Sequence, residues 1–164
     1  MRGQEIIQQL TADHARLRQE LREWEAALEQ SAGSSYAQCQ HALAVLRELC
    51  RVLANECQHH FREDENVLYA MVEFRLPRLR ALVGELRVDH DAFRQGLEEL
   101  RRELVRFDAT GELGRMPALG RELVRLLRRH LEREETELHP VVQREFRESD
   151  WHELSRLYVD SQVA

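Results

Sequence analysis

Four histidines and two carboxylates stand where a helical protein would be expected to place leucines. In each of four periodic segments a histidine interrupts the apolar pattern, and in two segments a carboxylate follows four residues later. Residues at i and i+4 share one face of a helix, so an imidazole nitrogen and a carboxylate oxygen can face the same point. The six residues are His14, His60, Asp64, His90, His130 and Glu134.

These residue types are typical of a metal site. An unpaired charge buried in a core costs on the order of several kcal/mol, and a cation placed between the groups would remove that cost. Mixed nitrogen and oxygen donors without a thiolate suit iron or manganese, and zinc accepts the same donors. A carboxylate can also bridge two metal ions. We therefore expect iron, with manganese and zinc as the alternatives.

Apolar residues at three- and four-residue spacing predict the helices that position these groups. Residues 31–35 (SAGSS), Pro77 and the glycines of DATGELG separate the helical segments, and Pro140 marks a candidate kink. The sequence SDWHEL predicts a short C-terminal helix that starts near Ser149 or Asp150. Four long helices with short loops predict an all-α, up-down-up-down antiparallel four-helix bundle. The expected helices cover about residues 3–30, 36–72, 77–107 and 116–146.

The six polar positions should also lie at the same height in such a bundle. The four histidines lie about 11 to 16 residues from those ends of their helices that face the same side of the bundle, at a rise of about 1.5 Å per residue. These offsets agree to within about one helical turn. The spacing therefore predicts that all six groups converge on one layer of the core.

The chain contains an internal repeat that carries these residues twice. Residues 13–21 (DHARLRQEL) match 89–97 (DHDAFRQGL), and residues 60–70 (HFREDENVLYA) match 130–140 (HLEREETELHP). Over about residues 3–146 this pattern resembles the hemerythrin-like family, the HHE cation-binding domains. The resemblance implies a four-helix bundle with a non-haem di-iron site, oxo- or hydroxo-bridged, whose ligands are the six residues named above.

Two positions depart from the oxygen-carrying hemerythrins. Those proteins have a second histidine one turn after the first on the third helix, whereas Arg94 follows His90 here. Asp64 stands in place of the usual glutamate, and its shorter side chain leaves Glu65 as an alternative bridge. One missing ligand implies a more open site than that of a reversible oxygen carrier. The chain looks more like hemerythrin-like proteins linked to iron sensing, peroxide handling or nitrosative stress.

Several neighbours of the six residues have alternative interpretations. His59 is one residue away from the polar face and is expected in a solvated or interfacial position. Glu65 and Glu135 are either ligands or hydrogen-bond partners of ligands. Glu56 either adds an oxygen or, as we favour, pairs with an arginine. Cys57 is expected to be a buried core cysteine rather than a redox sensor.

Three further pairs recur in or near the repeat. Tyr69 and His139 each follow a ligand histidine by nine residues, which is half a turn away on an α-helix, so neither is expected to bind metal. Asp13 and Asp89 either support the adjacent histidines or belong to solvated faces. Two arginines, one turn after the first histidine of each repeat, are the main alternative to a metal because they could neutralise the carboxylates. These are Arg18 and Arg94, and His41 and His152 are expected at the surface.

Composition limits the classes of partner. The net charge is −6, and the 24 cationic residues, all arginine, alternate with acids, so we expect no nucleic-acid binding. No apolar run is long enough to span a membrane and the N-terminus does not resemble a secretory signal, so we expect no membrane contact and a cytoplasmic location. Cys39, Cys50 and Cys57 are odd in number and lie in helical segments, which argues against disulfides.

We expect one domain over residues 1–164, with a bundle core at 3–146 and an extension at 147–164. Its ligand would be oxygen, nitric oxide or peroxide, and an enzymatic version would disproportionate peroxide like a catalase, with no catalytic side chain beyond the metal site. The alternative is an iron sensor or store whose fold reports metal occupancy to a partner. A purely structural, self-associating bundle is the third hypothesis, and a homodimer stays open because sequence does not define the oligomeric state.

Overall fold

The chain is almost entirely helical in the part that the computed structural model describes, residues 3–32 and 36–163. Residues 33–35, which include most of the expected break at SAGSS, lie outside the described residues. None of the described helices is long and apolar enough to cross a membrane. The α-helices are α1 (Gly3–Ala32), α2 (Tyr36–Glu63), α3 (Tyr69–Arg75), α4 (Arg80–Thr110), α5 (Met116–Arg133), α6 (His139–Glu145) and α7 (Glu148–Val163).

Two π-helical turns join pairs of these helices. Asp64–Leu68 connects α2 to α3 and Glu134–Leu138 connects α5 to α6, so that each pair forms one continuous helix. A π turn contains one more residue than an α turn and often occurs at a functional site. Pro140, where we expected a kink, lies just after the second turn. The first turn has Ala70 at the aligned position, so proline is not what requires the wider turn.

The resulting four long helices match the predicted ranges to within three residues at each end, counting the 3₁₀ turn Pro77–Leu79 that precedes α4. Ion pairs between neighbouring long helices show that these helices run in opposite directions. Arg18 of α1 pairs with Glu135. Two turns later in α1, Glu25 pairs with Arg128, which precedes Glu135 in the chain. Ion pairs show the same reversal between the second and third long helices. These two pairs of neighbouring helices are therefore antiparallel, which is consistent with the expected bundle.

The apolar core consists of two clusters with the predicted polar layer between them. The first includes Trp24, Phe61 and Phe93, and the second includes Ile6 and Leu86. Each of the four long helices contributes side chains to both clusters. Burial of one large apolar side chain stabilises the fold by about 1.5–3 kcal/mol. Apolar packing on both sides of the polar layer therefore holds each long helix at a fixed height relative to the others.

The last helix, α7, covers one side of the bundle near the polar layer. It packs against α1 and the first π turn, and Leu154 and Tyr158 join the second apolar cluster. Asp150 accepts a hydrogen bond at 3.0 Å from the backbone N–H of Arg147 and forms an ion pair with Arg75 at 2.9 Å. Asp150 therefore reaches back from the first turn of α7, a few residues after its start at Glu148, instead of preceding the helix as its cap.

Candidate metal centre

The six predicted residues meet in the layer between the two apolar clusters. Each is at most 3% exposed, although all six carry polar or charged groups. Every one of the four long helices contributes to the layer, as the height argument predicted. The residues that the structure brings together are His14, His60, Asp64, His90, His130 and Glu134.

The four histidines form two pairs. The Nε2 atoms of His14 and His60 are 3.1 Å apart, and those of His90 and His130 are 2.9 Å apart. Two nitrogen ligands of one ion, each about 2.1 Å from it and about 90° apart, would lie about 3 Å from each other. Each pair therefore has the spacing of two ligands of a single metal ion.

Glu134 lies between the two histidine pairs. Its Oε2 atom is 3.1 Å from His14 Nε2, 3.7 Å from His60 Nε2 and 3.4 Å from His130 Nε2. Burial would raise the pKa of this carboxyl, but His130, together with His14 and His60, holds it well below its usual range. Glu134 is therefore ionised and can serve both pairs at once.

Asp64 is the residue that most needs a cation. Its Oδ2 atom lies 3.4 Å from His60 Nε2 and 4.0 Å from His90 Nε2, and neither carboxylate oxygen has a hydrogen-bond partner. Burial and the negative charge of Glu134 raise the pKa of Asp64 well above its usual range. A bound metal ion would supply the missing positive charge, so these donors fit a metal.

The histidines of the second pair differ in protonation. Burial and the neighbouring His130 lower the pKa of His90 to about 2. Burial would also lower the pKa of His130, but Glu134 and Asp89 raise it to about 9. These shifts favour a neutral His90 beside a protonated His130 near neutral pH, and the Nε2 atoms of the two rings have a spacing that suits a metal ion.

A carboxylate behind the first histidine of each repeat orients its ring. His14 Nδ1 donates a hydrogen bond to Glu135 Oε1 at 2.9 Å, and Arg18 donates two more to the same carboxylate at 2.7 and 2.9 Å. A proton on Nδ1 leaves the lone pair on Nε2, which faces the layer. The second repeat has matching contacts of 2.7 and 2.9 Å among His90, Glu65 and Arg94.

These contacts decide between two of the earlier alternatives. Glu65 and Glu135 are hydrogen-bond partners of His90 and His14, and each contacts the Nδ1 atom of its histidine. The arginine alternative is wrong for the buried carboxylates, because Arg18 and Arg94 pair with Glu135 and Glu65 rather than with the two carboxylates inside the layer.

Tyr69 and His139 are two site neighbours whose orientation we predicted wrongly. The Tyr69 hydroxyl donates a hydrogen bond to Glu134 Oε1. The His139 ring stacks on His14 with centroids 5.5 Å apart, and neither of its nitrogens has a hydrogen-bond partner. Each π turn contains one extra residue, so a separation of nine residues across it corresponds to eight residues of α-helix. The rotation about the helix axis between the two side chains is therefore about 80° instead of half a turn. Their equivalent repeat positions were the signal that could have identified them.

The remaining neighbours lie outside the donor groups. The His59 side chain is 57% exposed, and Glu56 lies 3.8 Å from Arg16, both as expected. Cys57 is buried, and burial raises the pKa of its thiol. Asp89 Oδ2 lies 3.8 Å from His130 Nδ1 and so supports that ring electrostatically.

The other residues with predicted environments do not contribute donors to the layer. Asp13 pairs with Arg16 at 2.5 Å. His41 and His152 are exposed, as predicted. Cys50 is free and buried, and burial raises the pKa of its thiol to about 12. The Cys39 side chain lies outside the described residues.

A helical bundle whose core gathers two groups of imidazole and carboxylate donors belongs to the class of metal-binding bundles. The chain matches the family described as Hemerythrin HHE cation binding domain over residues 5–142, and it belongs to that family. A search of curated proteins found no match. The protein is thus a hemerythrin-like cation-binding domain with a histidine, aspartate and glutamate cluster that can hold metal.

Proposed function

We propose that the protein is a non-haem di-iron protein that binds, senses or reacts with oxygen, peroxide or nitric oxide. The observation that carries this proposal is the unequal size of the two donor groups. One group has four residues and the other has three, and Glu134 belongs to both. The shared carboxylate supports two adjacent metal ions, and the smaller group leaves room for a ligand from solution.

The smaller group also has a composition that favours iron. It consists of His14, His60 and Glu134. Two histidines and one carboxylate with open positions are typical of non-haem iron sites that bind oxygen. Iron would supply the change of oxidation state, and no other described side chain has to act as a nucleophile.

The surrounding residues would position the donors and contact the incoming molecule. Glu135 and Arg18 hold the His14 ring, and Tyr69 holds Glu134 through Oε1 while Oε2 faces the histidines. His139 stacks on His14 and has two unpaired ring nitrogens at 3% exposure. A small molecule bound beside His14 would therefore find a hydrogen-bond partner in His139.

A sensing or storage role is the second candidate, and the burial of Asp64 supports it. Without metal, both oxygens of this carboxylate are buried and unpartnered. Metal binding would therefore contribute directly to folding, as it does in proteins that fold around an ion. A bundle that loosens on metal loss could report occupancy to a partner protein.

Metal content and visible absorption test the proposal together. Protein from iron-replete medium is analysed for metal per chain, and its spectrum is recorded before and after anaerobic addition of peroxide. About two irons per chain with a spectral change that recovers as peroxide is consumed would support the reactive site. Two irons with an inert spectrum would favour sensing or storage, and the absence of bound metal would overturn both candidates.

A pair of histidine variants controls for indirect effects. His14→Ala removes a donor of the smaller group, and His41→Ala makes the same change at an exposed residue. We expect His14→Ala to lower the iron content and abolish the spectral response to peroxide, and His41→Ala to keep both. Equal behaviour of the two variants would contradict the assignment of His14.

A further inference from the structure

A pocket of about 240 Å³ lies between α2 and α4, beside the polar layer. Its inner wall is apolar and includes Phe61 and Phe93, each 1% exposed. Arg94 and Arg101 line it as well, and their side chains are 40% and 48% exposed. The described lining thus has two guanidinium groups and no carboxylate. Such a pocket suits a neutral or anionic molecule and disfavours a cation.

Phe61 borders both this pocket and the polar layer. Its ring stacks on the ring of His90, with centroids 3.7 Å apart. The ring centroids of His130 and His60 lie 5.8 and 6.0 Å from that of Phe61. His60 belongs to the smaller donor group, and the other two histidines belong to the larger one. The side chain of Phe61 therefore separates the pocket from donors of both groups.

The second repeat is closed at the equivalent place. When the alignment of the repeats is extended without gaps, Gln58 of the pocket lining corresponds to Arg128. Arg101 corresponds in the same way to Glu25. Arg128 donates two hydrogen bonds to Glu25, at 2.9 and 2.6 Å, and this ion pair joins α5 to α1. Gln58 and Arg101 cannot form an ion pair, and Arg101 lies 3.7 Å from Glu98 of its own helix.

We propose that this pocket is the entry site for the small molecule that reaches the metal centre, and that Phe61 is the side chain that admits it. The inference rests on the proposed function and narrows the incoming ligand to a neutral or anionic molecule. Each group of the size of water needs about 30 Å³, so the pocket has room for a molecule of two or three heavy atoms. Entry is one-sided, because the ion pair between Arg128 and Glu25 closes the equivalent route between α5 and α1.

This role of Phe61 has a kinetic signature. The ring must move away from His90 before a molecule can pass from the pocket to the layer. A barrier of this kind slows entry and exit by the same factor and leaves the equilibrium affinity unchanged. A residue that contacts the bound ligand would instead change the affinity.

Closing the pocket tests the proposal. The double variant Gln58→Arg/Arg101→Glu introduces the residues of positions 128 and 25 and so recreates the ion pair across α2 and α4. Azide binding to the iron-loaded protein is followed by stopped-flow absorption in about 0.5 M salt, which screens the changed charge. We expect the association and dissociation rate constants both to fall about tenfold, while the Kd stays within about twofold of that of the unmodified protein.

The control makes the same exchange at the surface. Gln19→Arg/Arg22→Glu changes two exposed residues of α1 that contact each other and gives the same change in net charge. We expect this variant to bind azide at the rate of the unmodified protein.

Opening the pocket should have the opposite effect. Phe61→Leu introduces the residue of position 131, where the second repeat has a leucine that is 0% exposed. The smaller side chain should raise both rate constants about three- to tenfold and leave the Kd unchanged. A change in Kd without a change in the association rate constant would contradict a role in entry.

Xenon provides a second readout that does not require the metal, because it binds in apolar cavities of proteins. In a crystal pressurised with xenon, we expect one xenon atom against Phe61 and Phe93 in the unmodified protein and none there in the double variant. The proposal is overturned if xenon is absent from the pocket, or if the double variant takes up azide as fast as the unmodified protein. Protein that contains iron but shows equal rates in all variants would overturn the entry site alone, whereas protein without iron would overturn the proposed function and the entry site together.

Discussion

The two helical hairpins, residues 3–75 and 80–145, present nearly the same donors to the polar layer but differ in the residues around them. Each supplies two histidines and one carboxylate. The first histidine of each hairpin is oriented by a glutamate of the other hairpin, and an arginine from the histidine's own hairpin holds that glutamate. The second hairpin supplies the shared Glu134, whereas Asp64 of the first has no hydrogen-bond partner. The comparison teaches that the positions facing the polar layer carry the same types of donor in both hairpins, while the residues around them differ and can give each half its own role.

The largest effect should come from exchanging the two carboxylates separately. Glu134→Gln removes the group shared by both donor sets, so we expect the metal content to fall from about two ions per chain to nearly none. Asp64→Asn affects mainly the four-residue group and should leave about one ion. Plasma mass spectrometry of desalted protein measures both. Equal losses in the two variants would mean that both carboxylates bridge.

After metal removal, substitutions of Asp64 and Glu134 should change the Tm in opposite directions. Removing the metal leaves Asp64 buried without a positive partner, which should cost about 3–5 kcal/mol and lower the Tm by about 10 °C. In the metal-free protein Asp64→Asn should raise the Tm, because the amide carries no charge. Glu134→Gln should lower it, because the histidines lose their counter-charge.

Thermal unfolding in excess chelator measures these shifts. Glu98→Gln is the control, since its side chain is 54% exposed and lies away from the layer. A decrease in Tm for metal-free Asp64→Asn would show that this carboxylate is already compensated and would remove the argument that it needs a cation.

The glutamates that orient the histidines should have matching effects in the two hairpins. Glu135→Gln and Glu65→Gln weaken the hydrogen bonds to His14 and His90, so each should lower metal affinity about 10- to 100-fold. Competition with a chromophoric chelator measures this, and Glu48→Gln at the surface is the control. A loss of metal affinity in only one of the two variants would show that the two repeats, although similar in sequence, contribute unequally to metal binding.

The smallest predicted difference concerns Tyr69 and His139, which occupy equivalent positions. Tyr69→Phe removes a hydrogen bond to an ionised carboxylate and should destabilise the protein by about 1.5 kcal/mol. His139→Leu removes nitrogens that have no partner and should be neutral or stabilising. Denaturant unfolding compares the two. His139→Leu should also weaken the binding of azide to the metal centre if His139 contacts a bound ligand.

Much of this arrangement could be predicted from the sequence, for identifiable physical reasons. Apolar periodicity gave the helix ranges, and the interruptions of that periodicity gave all six residues of the layer. The environment of His139 was not predictable in this way, because α-helical phase was assumed through residues 134–138, and the π turn there changes the phase of everything after it. Local composition does not predict a π turn, since Pro140 follows the turn at 134–138 and no proline follows the turn at 64–68 at the aligned position.

The role of Asp89 could not be decided from the sequence for a different reason. A carboxylate beside a histidine is common on solvated helix faces, and the sequence does not show which arginines pack against it. In the structure Arg129 lies 3.1 Å from Asp89 Oδ1 and Arg133 lies 3.9 Å from Asp89 Oδ2. Packing partners, rather than residue types, carried that information.

The separation of the donors along the chain has a consequence for synthesis. His14 and its partner Glu135 are 121 positions apart, so they cannot meet until the fourth long helix has left the ribosome. A nascent chain that ends within α4 can pair His14 with His60 but lacks the carboxylate that both metal groups share. Binding of metal by both donor groups would therefore wait for the completed bundle, and a truncated translation product would lack the carboxylate that the two groups share.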